Sequence, residues 1–321
     1  MFSNAINNKY EYLFAADKSA NAIHIGYGID DNYARCMGTS ILSICRHNNA
    51  AFTFHILAVK LNHTNIDRIK NLARQLNINI IVYEINPAIL CELPTFVHLP
   101  LPTYFRFILP YILHEEKYIY YIDADIICLN SADKLFSLDL QNNIIAAVPD
   151  LDWMNKKRNK ALRLKDHTYF NAGVLVINIA VWNNFSVMDK VLAVIKKDPV
   201  LFRYLDQDAL NVVLHNKVLY LDKIYNCIDP AAVNRNDIVF LHFAAHPKPW
   251  NIAWPISSIC NDFNRHLYSA CEQHTPWKNE VLQMPCNYKE MKVYAKALRH
   301  NGNVIKSLGW YIKYLVKKYA G

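Results

Sequence analysis

Tyr118-Ile119-Tyr120-Tyr121-Ile122 runs directly into Asp123-Ala124-Asp125. A short apolar run rich in β-branched and aromatic residues reads as a buried strand. It stops at two carboxylates spaced i and i+2. Alternate side chains of an extended chain share a face, so both acids can point the same way. Two such acids repel unless a positive group sits between them, and a divalent cation with phosphate as its companion is the natural candidate. A plain strand-to-turn exit capped by one Asp is the alternative. It accounts for one acid better than for two.

Outward from this segment the chain alternates strands and helices. Strands are expected at Ile23–Tyr27, Phe52–Val59, Ile78–Tyr83, Ile144–Val148, Gly173–Asn178 and Val239–Phe243. Helices are expected from Asp30-Asp31-Asn32 through Arg46, then at Asn65–Leu76, Thr103–Leu113, Val187–Lys196 and Asp206–His215. Residues 1–20 read as a polar leader. The fold class is α/β, a mostly parallel, helix-flanked, Rossmann-like sheet whose ligands gather beyond the carboxyl ends of strands.

Of 321 residues 53% are apolar, enough for a substantial core. Neither G-x-G-x-x-G nor a P-loop occurs among the seven glycines, so any phosphate must be held by a metal and side chains. The eight cysteines are dispersed, without C-x-x-C, which excludes a zinc ribbon and suits a reducing cytoplasm. No run approaches the ~20 apolar residues of a membrane span. Of the formal charge of +8, a net +7 falls on residues 289–321. The remainder is near neutral, so a nucleic-acid-binding body is not expected. Across 304–319, Leu308, Tyr311, Ile312, Leu315 and Tyr319 share a helical face, with Lys306, Lys313 and Lys317 largely elsewhere and Trp310 present. This basic amphipathic pattern fits an anionic membrane surface; a terminal helix docked on the body is the alternative.

Three further clusters sit at strand ends or helix starts. In Gly26-Tyr27-Gly28-Ile29-Asp30-Asp31-Asn32-Tyr33 the glycines permit close approach to the backbone, and the acids and amide can bond a sugar or base; a glycine turn with an Asp cap serves equally. Tyr169-Phe170-Asn171-Ala172-Gly173-Val174 and Tyr204-Leu205-Asp206-Gln207-Asp208 set polar groups beside apolar sequence, for sugar hydroxyls or for capping. Leu241-His242-Phe243 precedes Ala244-Ala245-His246-Pro247-Lys248-Pro249-Trp250. Here His242 can complete a metal shell and Lys248 can face a phosphate, or His242 can be a hydrogen-bonded core residue.

Taken together, and with Thr103-Tyr104-Phe105-Arg106-Phe107 and Thr275-Pro276-Trp277-Lys278-Asn279, these motifs resemble retaining glycosyltransferase family 8, specifically the bacterial lipopolysaccharide core glucosyl- and galactosyltransferases. The resemblance runs from about residue 22 to 277. It implies a GT-A fold at 21–280, with 281–321 as a membrane-associating tail, and an enzyme peripheral on the cytoplasmic face of the inner membrane. It implies a UDP-glucose or UDP-galactose donor, a lipopolysaccharide core acceptor and Mn2+ or Mg2+. Metal ligands fall on Asp123, Asp125 and His242. Nucleotide contacts fall on Gly28, Asp30, Asn32, Tyr33 and Lys248, and donor-sugar contacts on Arg106, Asn171, Ala172, Asp206 and Gln207. Asp206 and Gln207 are the groups expected to face the anomeric carbon. The chain has Ala245-His246-Pro247 where a related branch has Gly-Pro-Ala. A haloacid-dehalogenase-type phosphatase using Asp123 as nucleophile is a competing reading, although that motif normally opens a chain and Ile127 stands where Thr or Val is usual. A carbohydrate-binding protein without turnover is another.

Overall fold

The computed structural model describes residues 5–15, 22–90, 93, 101–164, 167–254 and 259–319. Cys91 and residues 1–4 and 16–20 of the leader lie outside them. The first half comprises β1 (Ile6–Leu13), β2 (Ile23–Asp30), α1 (Ala34–His47), β3 (Phe52–Val59), α2 (His63–Leu76) and β4 (Asn79–Ile85). A 3-10 segment, Leu101–Phe107, leads into the short α3 (Leu109–Ile112), then β5 (Tyr118–Ile122), β6 (Ile126–Cys128), α4 (Asp133–Phe136) and β7 (Ile145–Pro149). Next come α5 (Asp152–Leu162), β8 (Phe170–Asn178), α6 (Ile179–Asn184), α7 (Val187–Lys197) and α8 (Leu205–Val213). β9 (Val218–Tyr220), β10 (Phe240–His242), α9 (Asp262–Glu272), α10 (Tyr288–His300) and α11 (Val304–Tyr319) complete the described chain.

Eight strands form one sheet in the order β1-β4-β3-β2-β5-β8-β7-β9, and β10 pairs with β6 in a separate ribbon. Four neighbouring pairs are parallel and three, β1–β4, β5–β8 and β7–β8, antiparallel. β3 and β8 are buried along almost their whole length, which is why they read as predominantly apolar runs, with Thr53 and His55 in β3 and Asn171 and Asn178 in β8 as the polar exceptions. The chain winds from β2 to β3 and β4, then returns to β5 on the other side of β2. The ends of β2 and β5 thus flank the point where strand order reverses, the place where open α/β sheets leave a crevice.

Local chemistry sets the element ends. Asp30 accepts from the Tyr33 N–H and opens the 3-10 turn into α1. Asn62 caps α2, and Asn77 closes it in the left-handed region at φ 52°, as Asn tolerates. Trp277 is buried, donates to Asn65 Oδ1 at 2.8 Å and packs on Gly38 of α1, so the Thr275–Asn279 motif fastens the C-terminal segment to the helical face.

Three sequence expectations need correction. Residues 6–13 of the polar leader are a strand, in antiparallel register with β4 from Leu13↔Asn79 to Ile6↔Ile85. Lying at the edge, it carries solvent-facing polar residues that hide its pattern. The helix expected over Thr103–Leu113 is a 3-10 segment and a single α turn; Pro110 lacks the N–H that a continuous helix needs. The paired glycines of β2 do admit a close neighbour, but among the described residues it is the chain itself. A Cβ on Gly28 would stand 2.6 Å from the Pro102 carbonyl oxygen, and one on Gly26 would stand 2.5 Å from Leu109 Cδ1.

Candidate active site

The Asp123 N–H donates to the Gly173 carbonyl at 2.8 Å, holding the exit of β5 against β8. Asp125 lies one residue before β6. The β6–β10 register pairs Ile126 with His242, which lifts a histidine from more than a hundred residues away to the two acids. His242 Nε2 lies 3.4 Å from Asp125 Oδ1 and 4.0 Å from Asp123 Oδ2. One ligand atom from each of the three side chains falls within 4.8 Å of the others. His242 Nδ1 is already paired, 2.8 Å from Asn226 Oδ1, so the other ring nitrogen faces the acids. Two carboxylates and an imidazole are a donor set that suits a divalent cation such as Mn2+ or Mg2+, and the residues present fit one.

Cations brace the acids. Lys248 Nζ donates to Asp125 Oδ2 and to the Phe243 carbonyl, each at 2.6 Å, and is buried. Burial opposes ionisation of Asp125, but Lys248 and then His242 outweigh it and hold the carboxyl well below its ordinary range. Arg106 Nη2 donates to Asp123 Oδ1 at 3.0 Å, and the guanidinium lies 4.4 Å from the centre of the Tyr121 ring. Arg106 Nε is 2.9 Å from Asp206 Oδ2, but its N–H is directed at the Thr103 carbonyl. That carboxylate oxygen therefore has a charge beside it and no aligned donor. Burial lifts the Asp206 carboxyl to about 6 against the pull of Arg106, and the charge on Asp123 adds to the lift.

Gln207 is gripped on both ends of its amide. Its Oε1 accepts from the Ala172 N–H at 3.0 Å, and its Nε2 donates to Asp150 Oδ2 at 3.0 Å and to the Tyr169 hydroxyl at 3.1 Å. The Ala172 carbonyl accepts from Arg106, so the backbone of one residue positions both side chains. Behind them Asp208 accepts from Arg158 Nε (2.9 Å) and Nη2 (2.7 Å), from the Tyr169 hydroxyl (2.6 Å) and from the Tyr204 N–H (2.7 Å). This clamp spans Leu205, whose φ of 37° is rare outside glycine. Such strain, ~1–3 kcal/mol, is held at the start of α8, where Asp206 and Gln207 enter the site.

At the β2 exit Asp30 accepts from the Tyr33 N–H at 3.2 Å, and Asp31 is bonded to Asn62 and Asn65 of α2. Asn32 is exposed. The Tyr33 ring meets Trp250 edge-on with centroids 6.0 Å apart, which joins this turn to the Lys248 segment. Burial and then the charge of Asp125 push the Tyr33 phenol well above its ordinary value.

The structure thus brings Arg106, Asp123, Asp125, Asn171, Ala172, Asp206, Gln207, His242 and Lys248 together, with Tyr33 adjoining. The Gly28 backbone packs beneath the Pro102 carbonyl and the Phe105 side chain. The Asn171 amide bonds Asp150, the Gly173 N–H and Asn226. Sequence reasoning gave no role to Asp150, Arg158, Asp208 or Asn226. Asp208 and Tyr169 lay inside quoted motifs, whereas Asp150 and Asn226 carry no local signal.

Comparison with known proteins accords with this geometry. The pattern for glycosyl transferase family 8 matches residues 24–253, and that for the family 8 C-terminal region matches 265–318. The chain is 30% identical to a lipopolysaccharide 1,3-galactosyltransferase of Salmonella typhimurium, over 98% of this chain and 96% of that one. It is 27% identical to the lipopolysaccharide glucosyltransferase WaaO of Escherichia coli K12, over the same shares. The galactosyltransferase LgtC, solved with donor and acceptor sugar analogues, superposes with a TM-score of 0.70 at 22% identity, covering 81% of this chain and 100% of that one, and shares the GT-A fold. The phosphatase reading finds no support. The chain belongs to glycosyl transferase family 8.

Proposed function

We propose that this protein is a metal-dependent, retaining hexosyltransferase that moves glucose or galactose from a UDP-sugar to the growing lipopolysaccharide core. One observation carries the reading: the Asp123–Asp125–His242 cluster shares a wall with the Arg106–Asp206–Gln207 group, in a chain of this family. Asp123, Asp125 and His242 would hold a Mn2+ or Mg2+ ion, which would supply Lewis-acid neutralisation of charge on a diphosphate leaving group.

The protein's own groups do the rest. Lys248 contributes a fixed positive charge beside the diphosphate end. Asp30, Asn32 and Tyr33, on the turn that follows Gly28, meet the nucleoside. Arg106, with Ala172 at its back, and Asp206 orient the hexose, an effect of positioning. Gln207, unable to rotate between Ala172 and Asp150, faces the anomeric carbon together with Asp206.

The enzyme works at the cytoplasmic face of the inner membrane, where α11 meets anionic lipid. No described helix is long and apolar enough to cross a membrane. Ile305 is 90% exposed, and Leu308, Ile312 and Val316 are each more than half exposed, so this apolar face is not docked on the body. Trp310 is turned the other way, packed edge-on against Tyr294 of α10 at 5.3 Å.

The test is UDP release by purified protein from UDP-glucose or UDP-galactose, with truncated lipopolysaccharide as acceptor and added Mn2+. Acceptor-dependent release, lost in chelator and recovered with metal, with the anomeric configuration of the donor kept in the product, is the expected result. Sugar binding with no turnover on any core acceptor would point to a non-catalytic carbohydrate-binding protein, and hydrolysis of p-nitrophenyl phosphate to the phosphatase.

A further inference from the structure

We infer that Asn226 is a positioning residue: with Asn171 it forms a relay that fixes the neutral His242 ring with its proton on Nδ1, leaving Nε2 as a lone pair for the metal. The inference rests on the metal reading above and adds to it a residue that no sequence signal marks.

The relay follows from donor and acceptor rules, starting at a group whose role is fixed. A backbone N–H only donates. The Gly173 N–H meets Asn171 Oδ1 at 2.9 Å, so that atom must be the amide oxygen. The other end of Asn171 is then –NH2, and it does meet an acceptor, Asp150 Oδ2, at 3.2 Å. Asn226 places its own –NH2 against Asn171 Oδ1 at 2.8 Å, which turns Asn226 Oδ1 toward His242 Nδ1, also at 2.8 Å. An amide oxygen only accepts, so the imidazole must donate. Reversing Asn171 would set its –NH2 against the Gly173 N–H, and reversing Asn226 would set its amide oxygen against Asn171 Oδ1; either leaves buried polar groups unpaired.

Gly173 makes room for this. A Cβ at position 173 would lie 2.5 Å from His242 Cε1 and 2.8 Å from Nδ1. The glycine thus supplies both the N–H that sets the relay and the space the ring occupies. Metal-bound histidines usually have their second nitrogen held in this way, by a partner that fixes tautomer and ring orientation; here that partner is the asparagine that ends the 3-10 turn Lys223–Asn226.

Two measurements test the relay separately from the metal. In metal-free wild-type protein carrying isotope-labelled histidine, the nitrogen chemical shifts of neutral His242, assigned with His242→Gln, should show the proton on Nδ1. A predominant Nε2–H form overturns the proposal without use of any variant. Mn2+ affinity, read by electron paramagnetic resonance, should fall roughly 10–100-fold in Asn226→Leu. Asn226→Asp keeps an acceptor for Nδ1 and should bind within a few-fold of wild type. Equal affinity in Asn226→Leu and wild type overturns the proposal, as does equal loss in both variants. Failure of the wild-type protein itself to bind Mn2+ would sink the metal reading, while the tautomer measurement still decides the relay.

Discussion

Lys248 Nζ and Asp125 Oδ2 form a buried ion pair 2.6 Å long, and the same carboxylate belongs to the candidate metal shell. One acid would therefore be shared between a resident cation and a divalent ion held at that site. Lys248→Met leaves Asp125 buried without its ammonium partner, a loss of ~3–5 kcal/mol where such a pair is broken. Mn2+ restores positive charge beside it. The expected result is a metal-free protein that melts well below wild type and gains more in Tm from Mn2+ than wild type does. Equal gains in the two proteins would contradict the shared carboxylate.

Asp125→Ala removes a ligand, yet Phe243 N–H still reaches the residue 125 carbonyl at 2.9 Å, so the strand crossing survives. Transfer should drop by at least about a hundredfold, with the circular dichroism spectrum unchanged. A folded and active Asp125→Ala enzyme would remove the metal from the mechanism.

A second titrating cluster lies in the sheet, away from the cleft. His55 on β3 bonds His24 on β2 at 2.9 Å and the Tyr83 hydroxyl on β4 at 3.2 Å. Burial, then the neighbouring His24, depress its pKa from 6.5 to about 3. A folded value below the unfolded one means that the unfolded chain binds the proton first as pH falls. The stability contribution is therefore complete above pH 6.5 and is lost progressively toward pH 3. The full effect is of order a few kcal/mol. Denaturant melts of wild type and His55→Gln should converge as pH drops through this window; parallel curves would rule out His55 as the source.

For α11, the triple variant Ile305→Asp, Leu308→Asp, Ile312→Asp replaces three exposed apolar side chains with charges that anionic lipid repels. Flotation with phosphatidylglycerol-containing vesicles should be lost, while Tm and turnover on a soluble acceptor stay close to wild type. Undiminished flotation would remove α11 from the membrane account.

Sequence pattern carried the interior of the molecule well. β3 was legible residue for residue, since a parallel strand covered on both faces is mostly apolar, and only Thr53 and His55 interrupt it. The Asp123–Asp125–His242 set was legible because acids at a strand end and a histidine at another strand end are anomalous in apolar surroundings. β1 was hidden because Asn7, Asn8 and Lys9 face water along the sheet edge. The 103–113 segment misled because its apolar spacing suits a helix while Pro110 forbids one. Asn226 and Asp150 were beyond reach: each acts through a partner more than fifteen residues away, and nothing beside them in the chain announces that partner. Lys248 was read as a phosphate ligand from its flanking prolines, but its ion pair with Asp125 appears only when β6 and β10 are laid side by side.

α11 leans chiefly on α10, through Ser307 on the Ala295 carbonyl and Trp310 on Tyr294. Among the described residues, no hydrogen bond or ring contact ties its outer surface to the Gln207 cradle or the carboxylates. If α11 meets lipid as proposed above, where the enzyme stands in the cell and what it does there are separately adjustable: substitutions that retune its address need not disturb its chemistry, and a lineage can shift one trait while the other is held fixed.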